Sequence, residues 1–236
     1  KALIDKTRFA ISTEETRYYL NGIYLHAGDQ DGTAVLRAVA TDGHRLARVD
    51  APLPKGAQGM PGVIVPRKTV AELRNLVDET TDDISIGLSE SKIRFAFDDA
   101  VLTSKLIDGT FPDYQRVIPE GNDKPLEVDA KVLADAVDRV SAISSEKSRA
   151  VKLSLESGNL TLSASSPDDG NATEEVEVAY EGEALEIGFN AGYLLDITRQ
   201  IEGSNARLLL ADAASPTILS EADDAGTLYV LMPMRV

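Results

Sequence analysis

Apolar residues recur at helical spacing in three stretches of this chain. Val70, Leu73, Leu76 and Val77 form the first face, and Val132, Leu133, Ala136, Val137 and Val140 form the second. Tyr193, Leu194, Ile197 and Ile201 form the third. Steps of three and four place such residues on one side of a helix. Each stretch follows a short extended segment, at residues 62–66, 126–129 and 185–190. A fourth segment, at residues 7–11, precedes Ser12-Thr13-Glu14-Glu15, whose spacing is that of a capping box. It predicts a helix over 16–21 that Gly22 stops. The separations between Phe9, Ile64, Val128 and Ile187 are 55, 64 and 59 residues.

Short runs with partial alternation follow these helices. Residues 84–88, 93–97 and 101–106 come after the one containing Val70. Residues 151–155, 160–165 and 175–180 come after the next, and 207–211, 216–220 and 227–233 after the last. Turn-forming stretches such as Ser-Glu-Ser, Glu-Ser-Gly-Asn and Ala-Asp-Asp-Ala-Gly separate them. Runs of this kind read as antiparallel meanders. The unit is therefore one strand, one helix and three strands, and two units make a domain. Helices gathered on one face of antiparallel sheets define an α+β fold. A polar, turn-rich stretch at Pro119-Glu120-Gly121-Asn122-Asp123 predicts the boundary, giving domains at 1–119 and 122–236.

Composition narrows the function. The 236 residues carry a formal charge of −15 and contain no Cys and no Trp. Disulfides, thiolate nucleophiles and Cys-type zinc sites are thereby removed, and His26 and His44 alone offer little for a metal. Residues 1–121 hold a net −3 and residues 122–236 a net −12. Taken whole, that balance argues against a nucleic-acid partner. No apolar run reaches the length needed to cross a bilayer. The Gly-rich run at 56–62 precedes a strand instead of following one, so it is no phosphate loop. Asp82-Asp83, Asp98-Asp99, Asp168-Asp169 and Asp223-Asp224 fall in expected turns, where Asp bonds its own backbone. A hydrolase built on Asp42 and His44 and an acidic, antiparallel-sheet binding module unrelated to DNA are the alternative readings. No enzyme emerges from the motifs and no cofactor is called for.

Four segments carry a more specific pattern: Arg17-Tyr18-Tyr19-Leu20-Asn21-Gly22, Ala40-Thr41-Asp42-Gly43-His44-Arg45-Leu46-Ala47, the stretch from Thr103-Ser104-Lys105-Leu106 to Phe111-Pro112-Asp113-Tyr114, and Met232-Pro233-Met234-Arg235-Val236. Together with Val65-Pro66-Arg67-Lys68 and Phe189-Asn190-Ala191-Gly192-Tyr193, and in this order, they resemble the bacterial sliding clamps, the beta subunits of DNA polymerase III. The resemblance runs over nearly the whole chain. It implies two DNA-clamp domains, the family's middle and C-terminal ones, with the N-terminal domain absent. The chain also begins on Lys1 instead of Met, which reads as a piece of a longer protein. A homodimeric ring in the bacterial cytoplasm is implied for the full-length form, and loss of ring closure for this piece.

The resemblance further implies a groove at the junction of the two domains that takes linear motifs. The partners would be replicative polymerase subunits, the clamp loader, other polymerases and repair proteins. Carried over residue by residue, the groove comprises Leu20, Thr41, Gly43, His44, Arg45, Leu46, Pro112, Arg116, Val117, Asn190, Tyr193, Val230, Met232, Pro233, Met234 and Arg235. Ser148, Ala214 and Pro216 stand at groove positions where other clamps can carry an aromatic residue, a branched apolar residue and Ser. Met232 and Met234 alternate in an expected terminal strand and so point to one side. Sequence-independent contact with duplex DNA is implied for helix residues, with Arg17, Tyr18, Tyr19, Arg67, Lys68, Arg74, Arg139, Lys147, Arg149 and Arg199 as candidates. Glu72, Asp135, Asp138 and Asp196 share those helices. The charge of −15 then averages an acidic exterior with a local basic lining.

Overall fold

The computed structural model describes residues 1–97, 99–144 and 149–236. The chain divides into two compact units, Lys1–Asp113 and Tyr114–Val236. The division falls six residues ahead of the polar stretch at 119–123. That stretch is itself tied down: Asn122 Nδ2 donates to the carbonyls of Leu209 and Pro216 at 2.7 and 2.9 Å.

In the second unit the duplication is plain. Strands β9 (Ala150–Glu156), β10 (Asn159–Ser166) and β11 (Gly170–Glu177) form one antiparallel meander, and β13 (Asn205–Leu210), β14 (Thr217–Glu221) and β15 (Thr227–Leu231) form the other. Strand β8 (Lys124–Asp129) leads into helix α3 (Ala130–Ser141), and β12 (Leu185–Asn190) into α4 (Ala191–Thr198). Each leading strand pairs with the meander of the other half, β8 on β13 and β12 on β9. Helix α3 nevertheless lies against β9, β10 and β11 of its own half. The halves are interlocked, because every half places its strand in one sheet and its helix over the other. Helices α3 and α4 pack side by side. Leu133, Ala136, Val137, Leu194 and Ile197 of the helices and Leu153, Leu160, Leu162 and Leu208 of the strands have no exposed surface and form the core. Asp129 and Asn190 cap the two helices, their side-chain oxygens accepting from the amides of Val132 and Tyr193 at 2.8 and 3.1 Å, which satisfies donors that a helix start leaves free.

The first unit follows the same plan with differences. Strands β1 (Gly22–Gln30), β2 (Thr33–Thr41) and β3 (Arg45–Pro52) form a meander, and β4 (Val63–Pro66) pairs with β1 before entering α2 (Arg67–Asp78). A separate three-stranded sheet comprises β5 (Ser85–Leu88), β6 (Lys92–Ala96) and β7 (Val101–Lys105). Val65, Val70, Leu73, Ile93 and Phe95 form part of the core.

Several expectations are corrected here. Residues 7–11 are not a strand: α1 (Ala2–Asp5) and a 3-10 turn (Arg8–Ala10) occupy that region, held by the Thr7 hydroxyl donating to Leu3 O at 2.5 Å. The capping-box helix is a 3-10 segment, Glu15–Leu20, kinked at Arg17. Ser12 Oγ accepts from Glu14 N at 3.2 Å, two residues on, and so turns the chain instead of capping a helix. The strand expected at 175–180 starts at Gly170, because Gly170 adopts a φ of +91° and closes a tight hairpin opposite Ser166. The strand expected at 227–233 ends at Leu231. Asp98 lies outside the described residues.

Candidate functional site

Turn 41–45 of the first unit is built by its own side chains. Thr41 Oγ1 donates to Arg45 O at 2.7 Å and accepts from Gly43 N at 3.1 Å. Asp42 Oδ1 accepts from the amides of His44 and Arg45 at 2.9 and 3.0 Å, and Asp42 Oδ2 accepts from Arg45 Nε at 3.1 Å. Gly43 has a φ of +89°, a region that favours glycine. Arg45 is further held by Phe9, donating to its carbonyl at 2.7 Å and lying 5.1 Å from its ring centroid. The result is an exposed His44 on a rigid support. The Asp42 carboxylate is engaged in shaping the turn, so the geometry gives no support to the hydrolase alternative.

Of the other groove residues expected in this unit, Leu20 ends the 3-10 segment and Leu46 sits in β3; both are buried. Pro112 is exposed. Arg17 packs against the turn: a Cβ on Gly43 would lie 2.5 Å from its guanidinium.

In the second unit the chain leaves β15 at Leu231, and residues 232–236 continue without forming a strand. Met232 is 41% exposed. Met234 is half-buried, and its amide donates to Gly188 O of β12 at 2.9 Å. The two methionines therefore do not share one strand face, as alternation alone implied. Met234, Arg235 and Ala214 border a cleft of about 960 Å³ that includes Lys152, Glu186 and Gly188, whereas Met232 does not line it. Within the cleft lining Lys152 Nζ donates to Glu186 at 3.0 Å, which holds that carboxyl below its ordinary range. The Asp212 carboxyl beside Ala214 is also held low. It accepts from the amides of Ala214 and Ser215 at 2.8 and 2.7 Å and from the Ser215 hydroxyl.

Asn190 and Tyr193 belong to the start of α4, Val230 is buried in β15, and Pro216 precedes β14 with its carbonyl taken by Asn122. Arg116 and Val117 are exposed on the 3-10 turn Tyr114–Val117. Ser148 lies outside the described residues. Asp42 shapes the turn of the first unit and Gly188 meets the terminal segment of the second; neither was among the expected site residues. Asp-Gly marks a turn in any sequence, but nothing local marks Gly188.

The basic candidates divide by their partners. Arg74 is held between Asp5 and Asp78 on the first unit. Arg139 of α3 makes two bonds to Glu174, at 3.0 and 2.6 Å. Arg17 makes two to Glu14, at 2.7 and 2.5 Å, and Arg199 stands 3.8 Å from Asp196. Arg74 and Arg139 thus each hold their charge in ion pairs with carboxylates. Arg67 and Lys68, at the start of α2, are exposed without an acidic partner among the described residues. Tyr18 is exposed and meets Tyr19 edge-on at 5.7 Å, and Arg149 is exposed at a φ of +36°. Lys147 lies outside the described residues. Among those residues no helix is long and apolar enough to cross a membrane, and no three His, Asp or Glu side chains are grouped to hold a metal.

Comparison with known proteins agrees with this architecture. The beta sliding clamp of Caulobacter vibrioides is 58% identical over 234 residues, covering 99% of this chain and 63% of that protein. A crystal structure of the Bartonella birtlesii sliding clamp bound to griselimycin is 55% identical with a TM-score of 0.96, covering all of this chain and 63% of that one. A Caulobacter crescentus clamp structure is 58% identical with a TM-score of 0.97, covering all of this chain and 62% of that one. The chain thus spans about 63% of the length of the curated relatives it matches. Family profiles match residues 1–113 as the central domain and residues 115–235 as the C-terminal domain of the DNA polymerase III beta subunit, and the chain belongs to that family.

Proposed function

We propose that this chain serves as the motif-binding part of a sliding clamp, a non-catalytic protein that keeps replicative polymerase subunits on DNA. In this reading it also recruits the clamp loader, other polymerases and repair proteins, all through short, mostly apolar linear motifs. The observation that carries the reading is the terminal segment 232–236. It exposes Met232 and sets Met234 and Arg235 at a cleft rim, beside Lys152 of β9 and Gly188 of β12. Methionine is unbranched and polarizable, and suits a surface that must accept several partners. Family membership supports the same reading, as does the Bartonella relative that takes griselimycin. Thr41, Gly43, His44 and Arg45 are assigned to motif binding as well, on the support of their rigid, solvent-facing turn. Arg67, Lys68, Tyr18 and Arg149 are the side chains left for weak, sequence-independent contact with DNA phosphates.

Fluorescence anisotropy with a labelled peptide of the Gln-Leu-x-Leu-Phe type tests the groove. Saturable binding that weakens in Met234→Ala and in His44→Ala is the expected result. No saturable binding, or binding unchanged in both variants, refutes it.

A further inference from the structure

Strand β12 meets the terminal segment at one residue. Gly188 and Met234 form an isolated antiparallel bridge, closed by the amide of Met234 donating to the carbonyl of Gly188 at 2.9 Å. A Cβ on residue 188 would lie 2.3 Å from Val236 Cγ1 and 2.6 Å from Met234 O. The first of these contacts is soft, because Val236 is exposed and its side chain can turn away. The second is not, since the Met234 carbonyl belongs to the backbone of the crossing segment and moves only with it. Gly188 is also not required by β12 itself. It pairs in register with Lys152 of β9 and has no positive φ, so the strand would accept a side chain there. A glycine inside a strand often marks the close approach of another backbone, and here that backbone carries Met234 and Arg235.

We propose that Gly188 is a positioning residue for motif binding, its missing side chain allowing the terminal segment to cross β12 and thereby holding Met234 and Arg235 at the cleft rim. The inference rests on the motif-binding function proposed above and deepens it. Beyond Leu231 that segment has no strand pairing apart from this bridge among the described residues, so one methyl group at position 188 is enough to displace it.

The test pairs Gly188→Ala with Met234→Ala and places Gly188→Ala in two backgrounds, the full chain and a chain ending at Leu231. In the full chain, Gly188→Ala is expected to weaken the labelled Gln-Leu-x-Leu-Phe peptide by about fivefold or more, the scale of coupling between contacting residues. It is also expected to speed removal of the last residues by a carboxypeptidase. In the shortened chain the same substitution should leave the melting temperature unchanged or raise it, because Ala is better than Gly in a strand. If Gly188→Ala binds like the parent while Met234→Ala does not, the positioning role is overturned and the groove stands. Parent-like binding by Met234→Ala as well overturns the groove reading itself. A fall in melting temperature in both backgrounds makes Gly188 a requirement of β12 and overturns the inference.

Discussion

Removing the Asp42 carboxylate should loosen turn 41–45 by an amount its bonding defines. The carboxylate accepts two backbone amides and one guanidinium N–H. The two side chains of the ion pair are only 16% and 10% exposed, so solvent screens the pair weakly. A net hydrogen bond contributes about 1 kcal/mol and one to a charged group roughly 1.5–3 kcal/mol. Water can reach the exposed amide of His44 once the carboxylate is gone, and Arg45 keeps its bond to Phe9. Asp42→Ala should therefore cost roughly 2–3 kcal/mol, whereas Asp42→Asn keeps an acceptor at Oδ1 and should cost about 1 kcal/mol. Because the chain has no Trp, far-UV circular dichroism in urea is the suitable readout. At an m-value near 2–3 kcal/mol/M the alanine variant shifts the midpoint by roughly 1 M. Amide exchange localises the effect: protection at His44 and Arg45 should vanish in Asp42→Ala and persist in Asp42→Asn. Equal loss in both variants, or an alanine variant within about 0.5 kcal/mol of the parent, would refute the reasoning.

Three further outcomes follow from buried and half-buried polar groups. Arg37 and Asp50 pair through two 2.6 Å bonds with side chains 6% and 2% exposed, so Arg37→Met should cost about 3–5 kcal/mol by stranding the carboxylate. Arg37→Met with Asp50→Leu should recover most of that loss in the same urea titration. Burial pushes the His26 imidazole below its ordinary value, with Arg37 adding repulsion. The unfolded chain then binds the proton more readily, so the stability His26 contributes is full above about pH 6.5 and is lost as pH falls toward the lowered folded value. Unfolding titrations at steps below pH 6.5 should show that decline, and His26→Gln should flatten it. Asn122→Ala removes both donors to the Leu209 and Pro216 carbonyls and should cost about 2 kcal/mol, read as a lower melting temperature of the second unit.

The turn at 41–45 was legible because turn signals are written locally. Thr41-Asp42-Gly43-His44-Arg45 encodes its own turn, since five of the hydrogen bonds shaping it lie within the pentapeptide, whereas the brace from Arg45 to Phe9 comes from farther along the chain. The fate of the basic residues was not legible. Arg74 finds Asp5 at a separation of 69 residues and Arg139 finds Glu174 at 35. A helical face shows a charge but not which acid folding brings beside it.

The same division runs through the whole protein. Spacing of three and four and Gly- and Asp-rich turns determined the α2, α3 and α4 helices, the meanders after them and the α+β class. Only the tertiary structure decided that β8 joins β13 and β12 joins β9, crossing between halves. Alternation shows that a strand buries one face but not which meander it joins, so the pattern alone is degenerate. The end of β15 was decided in the same way. Alternation allowed a strand through Pro233, but the terminal segment found its partner in Gly188, where a strand glycine left room for another backbone.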